Sequence, residues 1–219
     1  MPNNSISRLS GRIIAELTTT NGLSERALLA GIVMAAIAVR LGYLFVATAS
    51  PGFVWIDPDR YMVQARLLTN GGQDWRWSID AFRYFEFFKA PLYPVFLAIF
   101  TFLPEGQAQW WAASSQSVLA TVAVFAVFVM TQRLHSTRAA LIAAAATALY
   151  FRNVVIQPMF MQERIYLPLL VTALAVLSLA VTGRGRPRQF GLAGALLGLA
   201  ALARSMPVYF VGPAALAWW

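Results

Sequence analysis

ALLAGIVMAAIAVRLGYLFVA, residues 27–47, carries one charged side chain, Arg40, in an otherwise apolar run. At about 1.5 Å per residue, a helix of this length covers the roughly 30 Å of a bilayer's hydrocarbon. Composition extends the reading to the whole chain: of 219 residues 59% are hydrophobic and 12% charged, and mean hydropathy is +0.62. Successive apolar runs of roughly 15 to 23 residues predict an all-α, multi-pass membrane bundle of about five or six spanning helices around one core. Cysteine is absent, so neither a disulfide framework nor a cysteine metal site is available, and His135 is the sole histidine. The net charge of +8 does not point to nucleic acid, because sixteen of the seventeen basic residues are arginines scattered between apolar runs. Membrane topology explains them better.

Residues 1–25 are polar, with Arg8 and Arg12 and no cleavage site behind an early apolar core, and read as a cytoplasmic tail. The remainder, 26–219, reads as one transmembrane domain whose first loop covers about 49–109. In that loop Asp57 is expected to cap a helix of about 12 residues, with Pro58 at its first position, Asp59 in its first turn and Asn70-Gly71-Gly72 as its stop. The apolar stretch 91–103 is below the roughly 17 residues needed to cross, and is expected along the interface. Further spans are expected at 110–131, 139–156, 166–181 and 190–203. In the last of these, Gly191, Gly194 and Gly198 read as a close-packing face. The run 207–219 is too short to cross, so the chain reads as truncated, its missing helices or a partner subunit completing it.

Arginine placement sets the expected orientation. Arg8, Arg12, Arg26, Arg133, Arg138, Arg184, Arg186 and Arg188 fall in alternate loops and define the cytoplasmic side. The first loop, the 157–164 connection and Arg204 then share the outer side. Arg40, about 12 Å from the outer end of its helix, either snorkels toward the interface, the favoured reading, or lines a polar cavity. The aromatics Trp55, Trp75, Trp77, Tyr84 and Phe85 read as an interfacial belt. Walker, dinucleotide and serine-elbow patterns are absent, which leaves a nucleotide-driven activity unsupported.

The chemistry-bearing residues concentrate in 51–94, which opens with Asp57-Pro58-Asp59 and closes on Lys89, the only lysine. Taken alone, Asp57 is an ordinary helix cap and Lys89 an interfacial anchor. Their order with other short motifs is more telling: Arg40-Leu41-Gly42-Tyr43, Asp57-Pro58-Asp59-Arg60-Tyr61, Lys89-Ala90-Pro91-Leu92-Tyr93-Pro94, Gln162-Glu163-Arg164-Ile165-Tyr166, and Gly198 through Arg204. This series resembles the N-terminal half of the glycosyltransferase C superfamily, in the branch of polyprenyl-phosphate-sugar transferases related to protein O-mannosyltransferases and aminoarabinose transferases. It covers about residues 27–210.

The resemblance implies transfer of a sugar from a polyprenyl-phosphate donor, within membrane lipid, to an extracytoplasmic lipid, glycan or protein. It implies Asp57 as the base, Glu163 as a second catalytic acid or an anchor for arginine, and Lys89, Arg204 and Tyr61 as substrate-binding residues. Asp57 with Asp59 resembles the Asp-x-Asp signature, so a divalent metal is the one cofactor considered. The chemistry is consistent with those residue types. A carboxylate within reach of an acceptor hydroxyl takes its proton, and cationic side chains hold the departing phosphate. Two other classes fit the composition: a non-catalytic membrane module that binds lipid phosphate or scaffolds an assembly, and a transporter half, for which no internal repeat is found.

Overall fold

A computed structural model describes residues 4–69, 90–183 and 185–204, with side chains from residue 24 onward. Lys89, the Asn70-Gly71-Gly72 stop, Trp75, Trp77, Tyr84, Phe85, Arg184 and the run 207–219 lie outside the described residues. The described residues form α1 (Asn4–Ala49), α2 (Tyr61–Thr69), α3 (Leu92–Ala98), α4 (Glu105–Leu134), α5 (Thr137–Leu149), α6 (Phe151–Val155), α7 (Glu163–Thr182) and α8 (Pro187–Ala203). Among them there is no strand, and the all-α expectation holds.

Among the described residues three helices are long and apolar enough to cross a membrane: Ser24–Ala49 of α1, α4 and α7. The expected five or six spans needed 139–156 and 190–203 as well. The first of these breaks at Tyr150 (φ −59°, ψ 107°), leaving α5 with 13 residues, and α8 has 17. Neither Pro nor Gly marks the break. Carbonyls around it are held by side-chain donors instead: Arg40 Nη2, from α1, bonds Thr147 O at 3.4 Å, and Gln157 Nε2, four residues on, bonds Asn153 O at 2.6 Å.

α4 is the hub, packed against α1, α5 and α7, while α7 also packs on α8 and α2 on α3. Two cores result. At one end of the bundle Tyr61, Met62, Tyr93, Leu97, Phe160, Ile165 and Tyr166 meet Ala112, Ala200 and Ala203. Elsewhere the alanine stripe of α5, Ala140, Ala144 and Ala148, lets that helix approach Ala36, Val124 and Phe128 closely. Apolar packing of small side chains substitutes there for a hydrophobic force that lipid does not supply. The glycine face expected on α8 is not the packed one. Ala193, Ala200 and Ala203 are buried, whereas added methyl groups at Gly191, Gly194 and Gly198 would meet open space.

Two short segments set up the site. α3 is seven residues long and continues into i→i+3 turns through Leu103, so it is too short to cross. The loop after α1 is tied to the loop before α7 by a parallel bridge, in which Ile56 N bonds Pro158 O at 3.3 Å and Phe160 N bonds Ile56 O at 2.8 Å.

Candidate active site

That bridge places Asp57 beside the start of α7. Asp57 is half-buried, and its carboxylate accepts Tyr61 N at 2.8 Å and Met62 N at 2.9 Å. Two of the four N–H groups that a helix start leaves unpaired are thereby satisfied. Asp57 does cap a helix, but α2 begins at Tyr61 rather than at Pro58. Arg60 intervenes with φ 56°, a left-handed turn closed by Arg60 N on Asp57 O at 3.2 Å. Asp59 consequently stands in that turn, exposed, with its carbonyl accepting Gln64 Nε2 at 3.1 Å.

Tyr61 is buried, as a substrate-site tyrosine at a membrane surface need not be. Its hydroxyl donates to Gln162 Oε1 at 3.1 Å, and its ring meets Tyr93 edge-on at 4.8 Å. Tyr93 in turn accepts Gln116 Nε2 from α4 at 2.9 Å. Burial pushes the Tyr93 phenol well above its ordinary 10.0, with nearby Asp57 adding to the rise and Arg164 opposing it.

Glu163 opens α7, and Arg204 follows the last residue of α8; their side chains form an ion pair, with the Arg204 guanidinium 5.9 Å from the centre of the Tyr166 ring. About a quarter of each side chain is exposed. Pro168, buried in α7, cannot donate to the carbonyl of Arg164, which loosens the helix immediately behind this first turn.

The structure thus brings Asp57, Tyr61, Glu163 and Arg204 to one end of the bundle, Tyr61 bridging to Gln162 next to Glu163. No group of three or more His, Asp or Glu that could hold a metal occurs among the described residues. Trp55 belongs to the same end, 5.5 Å ring to ring from Phe160 and 5.1 Å from Phe53.

Sequence reasoning missed the polar layer behind these residues. Ser117 Oγ donates to Gln157 Oε1 at 2.6 Å, and Arg164 bonds the same oxygen through Nη2 and Asn153 O through Nη1 at 3.5 Å. Arg40 is the clearest correction. It does not snorkel but is fully buried, with Nη1 on Ala36 O at 3.0 Å and Nη2 on Thr147 O. The available signal was the cluster Ser114, Gln116 and Ser117 within an apolar run, since polar residues inside a span face protein rather than lipid.

Compared with known families, residues 88–219 match the model for dolichyl-phosphate-mannose-protein mannosyltransferase. The match takes in Glu163, Arg204, Tyr93 and Lys89, while Asp57 and Tyr61 precede it. No curated protein and no solved structure matches the chain.

Proposed function

Since the chain belongs to the dolichyl-phosphate-mannose-protein mannosyltransferase family, a family of membrane glycosyltransferases, we propose that it transfers a sugar from a polyprenyl-phosphate donor to an extracytoplasmic hydroxyl. The observation that carries the site assignment is the convergence of Asp57 and the Glu163–Arg204 pair on one bundle end, pinned by the Ile56–Met159 bridge. Asp57 removes the acceptor's proton as its oxygen attacks the anomeric carbon, and the bond from that carbon to the phosphate oxygen breaks. The lipid phosphate leaves with the electron pair. Two backbone N–H groups fix the orientation of the Asp57 carboxylate.

Arg204 is already neutralised by Glu163, so Glu163 serves better as its anchor than as a second acid. The anchored guanidinium steers the phosphate, with Lys89 as the point charge. Asp57 and Asp59 are the groups that would hold a divalent ion, and water would fill the rest of its shell, as Mg²⁺ commonly requires.

The test is sugar transfer from radiolabelled polyprenyl-phosphate monosaccharides by purified protein in lipid. Asp57→Asn is expected to lower the rate by about 10²- to 10⁴-fold. Unchanged transfer in that variant removes Asp57 from the chemistry, and donor binding without turnover in either protein favours a non-catalytic, phosphate-binding module. Treatment with EDTA followed by Mg²⁺ or Mn²⁺ tests the cation. Loss and recovery of transfer support it, and indifference removes it.

A further inference from the structure

Gln157, in the loop between α6 and α7, is fully buried, and its side-chain amide joins three helices. Its Oε1 accepts Ser117 Oγ of α4 at 2.6 Å and Arg164 Nη2 of α7 at 2.5 Å, while its Nε2 donates to Asn153 O of α6 at 2.6 Å. A guanidinium only donates and a carbonyl only accepts, so the amide has one orientation that satisfies both neighbours. Ala113 O also lies 2.9 Å from Ser117 Oγ, but two oxygens 2.6 Å apart, as those of Ser117 and Gln157 are, need the hydroxyl proton between them.

Burying an amide carries a desolvation cost that a leucine of similar size would not incur, and what the amide adds is direction. Apolar packing of Phe160 holds the same loop in place without fixing its register. Pro158, the residue after Gln157, offers the carbonyl that Ile56 N reaches at 3.3 Å, and Asp57 follows Ile56. An unbroken line of contacts therefore runs from Ser117 in the hub helix through Gln157, Pro158 and Ile56 to the carboxylate that caps α2. At the far end of the loop, Gln162 accepts the Tyr61 hydroxyl at 3.1 Å.

We infer that Gln157, held by Ser117 and Arg164, is a positioning residue that fixes the Asp57 loop against α4 and so sets where the Asp57 carboxylate stands. It touches no reacting atom. Its effect on transfer rests on the proposed role of Asp57, whereas its ordering of residues 56–62 requires no reaction at all.

The experiment compares wild type, Gln157→Met, Ser117→Ala and Asp57→Asn as full chains in lipid, by amide hydrogen exchange and by transfer kinetics. Methionine nearly keeps the volume of Gln157 and removes its hydrogen bonds. Gln157→Met is expected to speed exchange in 56–62 by at least about tenfold, with α5 unchanged, and to lower kcat by about 10- to 100-fold with the donor KM within about twofold. Ser117→Ala should move both in the same direction by about fivefold, and carries the test if Gln157→Met does not fold. A residue that only supports the fold would instead speed exchange throughout the bundle. Wild-type exchange in 56–62 of folded Gln157→Met, or a rise shared equally by α5, overturns the inference. So does wild-type kcat in that variant where Asp57→Asn abolishes transfer. If Asp57→Asn transfers as wild type does, the proposed reaction fails, and exchange in 56–62 alone decides whether Gln157 holds the loop.

Discussion

Arg204 illustrates how partnership changes what a side chain can do. A free guanidinium at this position would be a phosphate clamp, but joined to Glu163 the pair has no net charge. Partial burial makes the pair worth more than a surface ion pair. Arg204→Gln or Glu163→Gln is expected to destabilise by about 1–3 kcal/mol, because each leaves a partly desolvated charge behind. The double substitution should cost less than the two singles added together, which a double-mutant cycle on denaturant midpoints measures. Additive costs would reduce the pair to two independent surface groups. Tyr93 supports a second expectation. Its folded-state pKa is raised, chiefly by burial, so the unfolded chain releases this proton first as pH climbs past 10.0. The stability associated with Tyr93 is therefore complete below that pH and declines above it. Tyr93→Phe should flatten the alkaline decline while costing about 1–2 kcal/mol at neutral pH, since Gln116 loses its partner. Denaturant midpoints on either side of that pH supply the check.

At the scale of the element, the informative cases are the places where α2 starts and α5 stops. Asp57 was legible as a cap because Asp before Pro at a helix start is a local signal. The true start was not legible. It depends on Arg60 taking a left-handed conformation that no sequence pattern of this kind demands. Such a conformation costs an L-residue about 1 kcal/mol, so Arg60→Gly is expected to be neutral or to stabilise by up to about 1 kcal/mol. A fall in the unfolding midpoint would show that the Arg60 side chain contributes more than its backbone costs. The end of α5 was hidden for a different reason. Residues 139–156 are continuously apolar enough to read as one helix, and the donors around the break come from α1 and from the loop before α7. Apolar runs, terminal acids and the order of motifs were readable because they are local. Arg40 was misread because an arginine within a span looks the same in sequence whether it reaches for water or for a carbonyl from another helix.

For the whole molecule, the helix connections put the arginine-bearing turns Arg133 to Arg138 and Arg186 to Arg188 at the end of the bundle opposite Asp57. Under the positive-inside rule that end is expected to face the cytoplasm. The natural lack of cysteine makes the orientation directly testable. Gln107→Cys, near the Asp57 end, should react with a membrane-impermeant maleimide on intact cells. Ser136→Cys, in the α4–α5 turn, should react only after the cytoplasmic face is opened. The reverse pattern would invert the orientation and move the proposed transfer to the cytoplasm.

The bridge between Ile56 and the 158–160 segment also sets a timetable for synthesis. Its halves are separated by roughly a hundred residues, which a ribosome takes about 5–20 s to add. Throughout that interval the Asp57 loop has been made without the backbone that will anchor it. The candidate catalytic centre is thus a late product of translation: a ribosome stalled before Met159 leaves a membrane-inserted chain that has its proposed base but no fixed place to use it.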